Sequence, residues 1–311
     1  MKTKDLLAMT GLAAIWGASF LFLRLATPAL GPVSVAAGRV GLAALLLWPL
    51  VWRQGHGPAM RQRAWPLAVS ALLACVLPFL AMSQAARTLP AGLMSILNAV
   101  TPMWGALVGW LWGGERLGRT RAIGLLVGLA GVALLSADAS QLLPAQDWPQ
   151  TLLACALMML GTLLYATSVH YNQRHLRGLA PMAVSAGTMA WGAACLLGPA
   201  LWLGPPDTLQ EASRSAWLTR WAEVPALAWW SLAGLGALCT ALAYVLFFRL
   251  IQRIGPSQAL TVTFLIPVFG MLWGALLLGE TITPTMLLAT GVIAWGTWLS
   301  NRGPAVPPVR T

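Results

Sequence analysis

Leu89 to Glu115 reads LPAGLMSILNAVTPMWGALVGWLWGGE, and Pro256 to Glu280 reads PSQALTVTFLIPVFGMLWGALLLGE. At a shift of 165 residues, Pro102 falls on Pro267, Gly105 on Gly270, Gly109 on Gly274, Gly114 on Gly279 and Glu115 on Glu280. Each copy opens on small or polar residues, carries a proline in mid-span and a G-x-x-x-G, and closes on Gly-Glu. Five matches in one register mark a duplication. Each copy is also long enough and apolar enough to cross a bilayer as a helix at about 1.5 Å per residue.

Composition generalises that reading to the chain. Apolar residues make up 58% and charged residues 9%, too little charge to coat a soluble protein of this length. The alternating ten-residue segments of a membrane β-barrel are missing, so the class is an all-α membrane protein. Ten transmembrane helices are predicted over about 5–26, 32–52, 66–86, 90–113, 120–137, 150–171, 180–203, 226–248, 256–279 and 284–301. Lys2 and Lys4 precede an apolar run too long for a signal peptide, so that run reads as a retained first helix.

The formal charge of +11 does not point to nucleic acid, because the basic residues are scattered through short loops rather than gathered on one face. Fourteen of them (Lys2, Lys4, Arg53, Arg61, Arg63, Arg116, Arg119, Arg121, Arg174, Arg177, Arg249, Arg253, Arg302, Arg310) fall on the side of the amino terminus. Arg87, Arg214 and Arg220 fall on the other, and Arg24 and Arg39 lie inside spans. The positive-inside rule then places both termini in the cytoplasm. Cys75, Cys155, Cys195 and Cys239 stand singly in apolar runs and read as small buried residues, with no metal-ligand or disulfide spacing.

The register extends through the chain. At a shift of 149, Trp16 meets Tyr165, Ser19 meets Ser168, Pro32 meets Pro181 and Gly38 meets Gly187. From the third span onward the shift is 165, so Phe79 meets Tyr244 and Gly131 meets Gly296. The difference, 165 − 149 = 16, is an insertion in the 204–225 loop, where Trp217, Trp221 and Val224 have a spacing that fits either a short interfacial helix or an ordered loop. A repeat of five spans is odd, so the halves enter the membrane from opposite sides. The division is a first repeat over 1–137, an outer linker over 138–149, a second repeat over 150–301 and a cytoplasmic tail over 302–311. Inverted repeats are a transporter architecture, with the binding site near the midplane between the halves.

W-G-x-S-F from Trp16 to Phe20, P-x(6)-R from Pro32 to Arg39 and the doubled P-x(12)-E resemble the EamA family of the drug/metabolite transporter superfamily. The resemblance implies a multi-pass permease of the bacterial inner membrane that exports small metabolites. The second half departs from the first with Thr188 in place of Arg39 and Tyr165 in place of Trp16.

Candidate pathway residues follow from chemistry. None of the eight acidic residues lies inside a predicted span, so a proton-exchanging intramembrane carboxylate has no candidate. Glu115 and Glu280 close the fourth and ninth spans and read as caps or loop anchors, with a gate as the alternative. Arg24 reads as an interface anchor. Arg39 lies deeper; a guanidinium there either bonds backbone carbonyls or lines the pathway, and the second use favours a zwitterionic or anionic substrate.

Ser95, Asn98 and Thr101 share a face before Pro102, and Thr263, the register mate of Asn98, precedes Pro267. Both prolines are expected to kink their helices and free backbone carbonyls, which these side chains either satisfy or leave to a ligand. Trp16, Phe79, Tyr165 and Tyr244 are predicted to wall a cavity suited to an aromatic or branched amino acid, with lipid-facing packing an alternative for Phe79. The tryptophans at 48, 52, 65, 148, 202, 229 and 230 read as interfacial belt residues. The two G-x-x-x-G motifs read as packing surfaces, within one chain or between the copies of a homodimer.

His170 and His175 read as solvated, with proton carriage the alternative. An enzyme would gather acids, histidines or metal ligands at one depth, and here they are scattered, so no cofactor or catalytic group is assigned. The expected partners are the lipid bilayer and a small-molecule substrate. The function indicated is export of amino acids or related amphipathic metabolites by alternating access; the alternative is a drug or nucleotide-sugar-type antiporter.

Overall fold

The computed structural model describes residues 3–114, 118–142, 148–206 and 217–301. Ten long helical segments carry the chain: α1 (Thr3–Leu30), α2 (Pro32–Arg53), α3 (Ala64–Ala85), α4 (Ala91–Leu111), α5 (Arg119–Leu142), α6 (Trp148–His175), α7 (Pro181–Leu203), α8 (Ala226–Ile254), α9 (Leu260–Leu278) and α10 (Pro284–Asn301). Among the described residues, nine helices are long and apolar enough to cross a membrane. The predicted tenth span is a helix of 18 residues, Pro284–Asn301, that falls outside those nine. Several spans run longer than predicted, α1, α6 and α8 above all. Helices hydrogen-bond internally and therefore continue beyond the apolar core into the interface. Glu115, the 138–147 part of the linker and the tail from residue 302 lie outside the residues whose side chains are described.

The sites of interruption are informative. In α3 the turn Leu72–Val76 is π-helical, and so is Gly234–Leu242 in α8, which covers the positions that the 165-residue shift predicts. α4 and α9 each break rather than bend. One helical segment ends at Asn98 and the next starts at Thr101, with Pro102 in its first turn. In α9 a tight 3₁₀ turn over Leu260–Phe264 gives way to a helix from Ile266, with Pro267 in its first turn. A proline has no N–H to donate to the preceding turn but suits a helix start, so the chain resets there instead of kinking.

Helix pairs meet in register. α2 lies along α7, α5 along α10, and α4 along α9. Gly38 of α2 faces Leu232 of α8, while its mate Gly187 of α7 faces Leu67 of α3, the mate of Leu232. In the α5–α10 contact, backbone meets backbone: a Cβ on Gly296 would sit 2.6 Å from the amide nitrogen of Gly128 and 2.7 Å from the carbonyl oxygen of Gly124. Gly291 on the same helix has nothing within 4 Å of that position. Gly296→Val therefore costs about 1–3 kcal/mol or more through overpacking, and Gly291→Ala costs little. Melting temperatures of the two variants in detergent check this.

The apolar residues form three buried clusters between the helices. The seven tryptophans expected as belt residues are all exposed on the outside of the bundle. Cys75, Cys155 and Cys239 are buried, but Cys195 is exposed. The expectation for Cys195 fails because it lies off the buried face of α7 that Gly192, Ala193 and Leu196 form.

Candidate functional site

A cavity of about 740 Å³ opens between the two halves of the chain. Its walls come in register pairs: Trp16 with Tyr165, Ser19 with Ser168, Arg39 with Thr188, Phe79 with Tyr244, and Asn98 with Thr263. Of the eight pathway residues named from sequence, Trp16, Arg39, Phe79, Asn98, Tyr165, Tyr244 and Thr263 line this space, as does Pro102. Ser95 lies outside it. That hydroxyl is fully buried, donates to the carbonyl of Gly92 at 2.6 Å, and packs where a Cβ on Gly270 would be. Pro267 also lies away from the cavity, in the packed half of α9.

Arg39 is 8% exposed. Its Nε donates to Thr240 Oγ1 at 3.0 Å, and its guanidinium carbon stands 3.8 Å from the centre of the Phe79 ring. Phe79 is 1% exposed, so the lipid-facing alternative does not hold. A desolvated cation over an aromatic face gains about 2 kcal/mol. Thr240 is itself fixed by donating to the carbonyl of Leu235 at 2.8 Å, five residues back, which the π-helical turn brings within reach. The register mate of this contact is present too. The Cys75 sulfur, mate of Thr240, stands 3.4 Å from the carbonyl oxygen of Thr188, mate of Arg39, with the Ala71 carbonyl at 3.2 Å sharing its one S–H.

The aromatic walls interlock. Phe79 meets Tyr165 edge to face at 6.2 Å between ring centres, Trp16 lies 5.1 Å from Phe247, and Tyr244 stacks with Phe248 at 6.2 Å. Among the described residues, the phenol groups of Tyr165 and Tyr244 have no hydrogen-bond partner, and neither does the Asn98 amide. Asn172 Oδ1 is likewise buried without a partner there, and its residue lines the cavity. These are polar groups available to a ligand.

Register pairing fails at the two ends. Gln173, Leu176, Arg177, Leu179, Pro181 and Val184 line the cavity, but none of their mates (Arg24, Thr27, Pro28, Leu30, Pro32 and Val35) does, and Thr27, Leu30 and Val35 are buried among other side chains. The cavity thus opens at the α6–α7 end and is shut at the other. At the shut end Arg24 Nη1 donates to the carbonyls of Ala86 and Arg87 at 3.0 and 3.1 Å, tying α1 to the end of α3 rather than anchoring in the interface. The Glu280 carboxylate accepts from the backbone amides of Ala91 and Gly92 at 2.7 and 3.0 Å, which caps α4 across the bundle. Gly270 and Gly274 pack closely there. Gly105, their counterpart toward the open end, has nothing within 4 Å of where a Cβ would stand, so the two G-x-x-x-G motifs are not used alike.

The 204–225 insertion includes a short helix, Trp217–Ala222. Trp221 stacks on Trp229 at 5.9 Å, and Val224, 8% exposed, joins the core cluster beneath the shut end. His170 only meets the Ala166 carbonyl of its own helix. Sequence reasoning missed Thr240, Phe248 and Asn172. Ser19 and Ser168 were legible as an identity in the register, whereas Thr240 becomes a site residue only through the π-helical turn.

The sequence profile described as EamA-like transporter family matches residues 3–137 and again 152–302. The chain is 26% identical to the uncharacterized transporter YvbV of Bacillus subtilis over 302 residues, covering 96% of this chain and 92% of that one. It is 24% identical to the uncharacterized inner membrane transporter YedA of Escherichia coli K12, covering 99% and 98%. A solved crystal structure superposes with a TM-score of 0.62 at 16% identity, covering 97% of this chain and 98% of that one, a likeness of fold.

Proposed function

Because this chain belongs to the EamA-like transporter family and is a multi-pass membrane transporter, we propose that it exports amino acids or related small amphipathic metabolites across a bacterial inner membrane by alternating access. The observation that carries this reading is the cavity walled by register pairs and open at one end only. Two similar halves packed around one space can shut it at either end by the same kind of contact.

In this reading the chain has ten spans in two inverted five-helix repeats, and both termini are cytoplasmic. The distribution of basic residues supports that sidedness, and it makes the open end the cytoplasmic one. The state is then inward-facing, ready to load a substrate for export. The protein acts on its substrate by moving it, not by catalysis. Its partners are the bilayer, that substrate and, in a homodimer, a second copy of the chain.

Uptake of labelled phenylalanine into proteoliposomes, with and without an imposed pH gradient, tests the reading. Saturable uptake that ignores the gradient is the expected result, since no described acidic residue lines the cavity. Competition by a nucleotide-sugar or a drug, with phenylalanine inert, would favour the antiporter alternative.

A further inference from the structure

Resting on that transporter reading, we propose that the substrate crosses as a net anion, an aromatic or similarly bulky monocarboxylate held on Arg39, and that an inside-negative membrane potential drives its export. Three observations converge on this.

The first is the way Arg39 is held. Only its Nε is spent on the protein, in the bond to Thr240, and one face of the guanidinium lies on Phe79. Its two terminal nitrogens donate to no group among the described residues, and the side chain lines the cavity. That is the planar two-nitrogen fork a carboxylate binds in bidentate fashion, pre-oriented by a ring on one side and a hydroxyl at the base.

The second is the company it keeps. Among the described residues the cavity is lined by two cations, Arg39 deep inside and Arg177 at the mouth, and by no acid. Asp5 lies in the first turn of α1, Glu223 is exposed, and Glu280 is bonded at the shut end. A buried guanidinium without a countercharge is costly, and a substrate carboxylate removes that cost. A substrate ammonium would meet no countercharge in the same space. The pocket therefore discriminates by net charge: monoanion first, zwitterion second, cation last. Arg177 at the mouth adds steering in the same sense.

The third is the surround. Trp16, Phe79, Tyr165 and Tyr244 give an aromatic lining, and the two phenols, without a partner among the described residues, line the same space as Arg39 and are free to donate to a bound carboxylate. An apolar body and one anionic group are what this wall accommodates.

The energetic consequence concerns the driving force. Among the described residues no carboxylate lines the cavity, so pH coupling has no carboxylate carrier there. An anion needs none, because moving one negative charge out of an inside-negative compartment is downhill, worth roughly tenfold accumulation for every ~60 mV.

The test uses three solutes with one phenyl group and different charge: N-acetylphenylalanine (anion), phenylalanine (zwitterion) and phenylethyl-trimethylammonium (cation). Purified full-length protein is reconstituted, and an inside-positive potassium diffusion potential is imposed with valinomycin. N-acetylphenylalanine uptake should be saturable, and its steady-state accumulation should rise about tenfold per ~60 mV, while phenylalanine uptake is slower and indifferent to potential. Arg39→Gln should abolish anion uptake and Arg39→Lys should keep part of it. If Arg39→Gln fails to fold, Thr240→Val reports instead, through a KM for the anion raised about tenfold at unchanged melting temperature.

Saturable phenylalanine or cation uptake with no anion uptake would overturn the anion proposal and leave the transporter reading standing. Anion uptake unmoved by potential would overturn the driving force proposed. No saturable uptake of any of the three by folded protein would overturn both readings together.

Discussion

Glu280→Gln should open the shut end of the cavity. In the wild-type protein the carboxylate accepts from two backbone amides of α4, those of Ala91 and Gly92. These are N–H groups at a helix start, with no partner inside the helix, and a negative charge there is favoured by the helix dipole. Hydrogen bonds to a charged group contribute about 1.5–3 kcal/mol each. A glutamine keeps one acceptor oxygen but turns an N–H₂ toward the second amide, so a loss of ~2 kcal/mol is expected, or roughly thirtyfold in the equilibrium between shut and open.

The measurement is labelling of a reporter cysteine, Leu23→Cys, by a membrane-impermeant maleimide added from the Glu280 side. Leu23 lines the cavity but is 1% exposed. Labelling should be slow with Glu280 present and about thirtyfold faster with Gln. Equal rates would mean that Glu280 only staples a loop. Glu223→Gln, an exposed carboxylate, serves as the control.

The second large effect is expected at Gly105. At the shut end Gly270 packs so closely on Ser95 that an added Cβ would lie 2.3 Å from its Cβ and Oγ. The register mate Gly105 is unobstructed in this state. If the open end shuts by the contact that holds the other end, Gly105 must then meet α9 as closely as Gly270 meets α4. Gly105→Leu should therefore fold normally, bind substrate from the open end, and fail to transport, with turnover down a hundredfold or more. Gly270→Leu should lose the seal already present and lower the melting temperature instead. Parallel melting curves, substrate-quenched tryptophan fluorescence and uptake separate the two. A Gly105→Leu variant that transports normally would show that the open end shuts through other residues.

How much of this could be read in the chain differs from residue to residue. Trp16, Phe79, Tyr165 and Tyr244 were legible as a group because a duplicated sequence places register mates at equivalent depths, and aromatic residues at four such depths stand out in an apolar chain. Asn98 and Thr263 were legible beside their prolines for the same reason. Ser95 was placed with Asn98 by helical spacing, but spacing says only that residues share a face. The break at Ala99–Val100 turns the preceding segment, and Ser95 ends up against Gly270. Arg39 stood out as a charge in a span, yet its bond to Thr240 joins residues 201 positions apart. No local pattern encodes such a partner.

The sequence by itself determined that this is a helical membrane protein built twice over, since apolar length and a repeating register are properties of the chain alone. It also marked which depths carry aromatic and polar side chains. Only the tertiary structure decided which end of the cavity is shut. The two halves share one register, so both ends offer a closing glycine pair on the same helix type. The choice rests on long-range contacts, the Glu280 carboxylate on α4, Arg24 on the end of α3, and the insertion packed over that end. Arg24 against Gln173 and the insertion are differences in the sequence, but which end they seal is set by partners far away along the chain, through the free-energy difference between two packings.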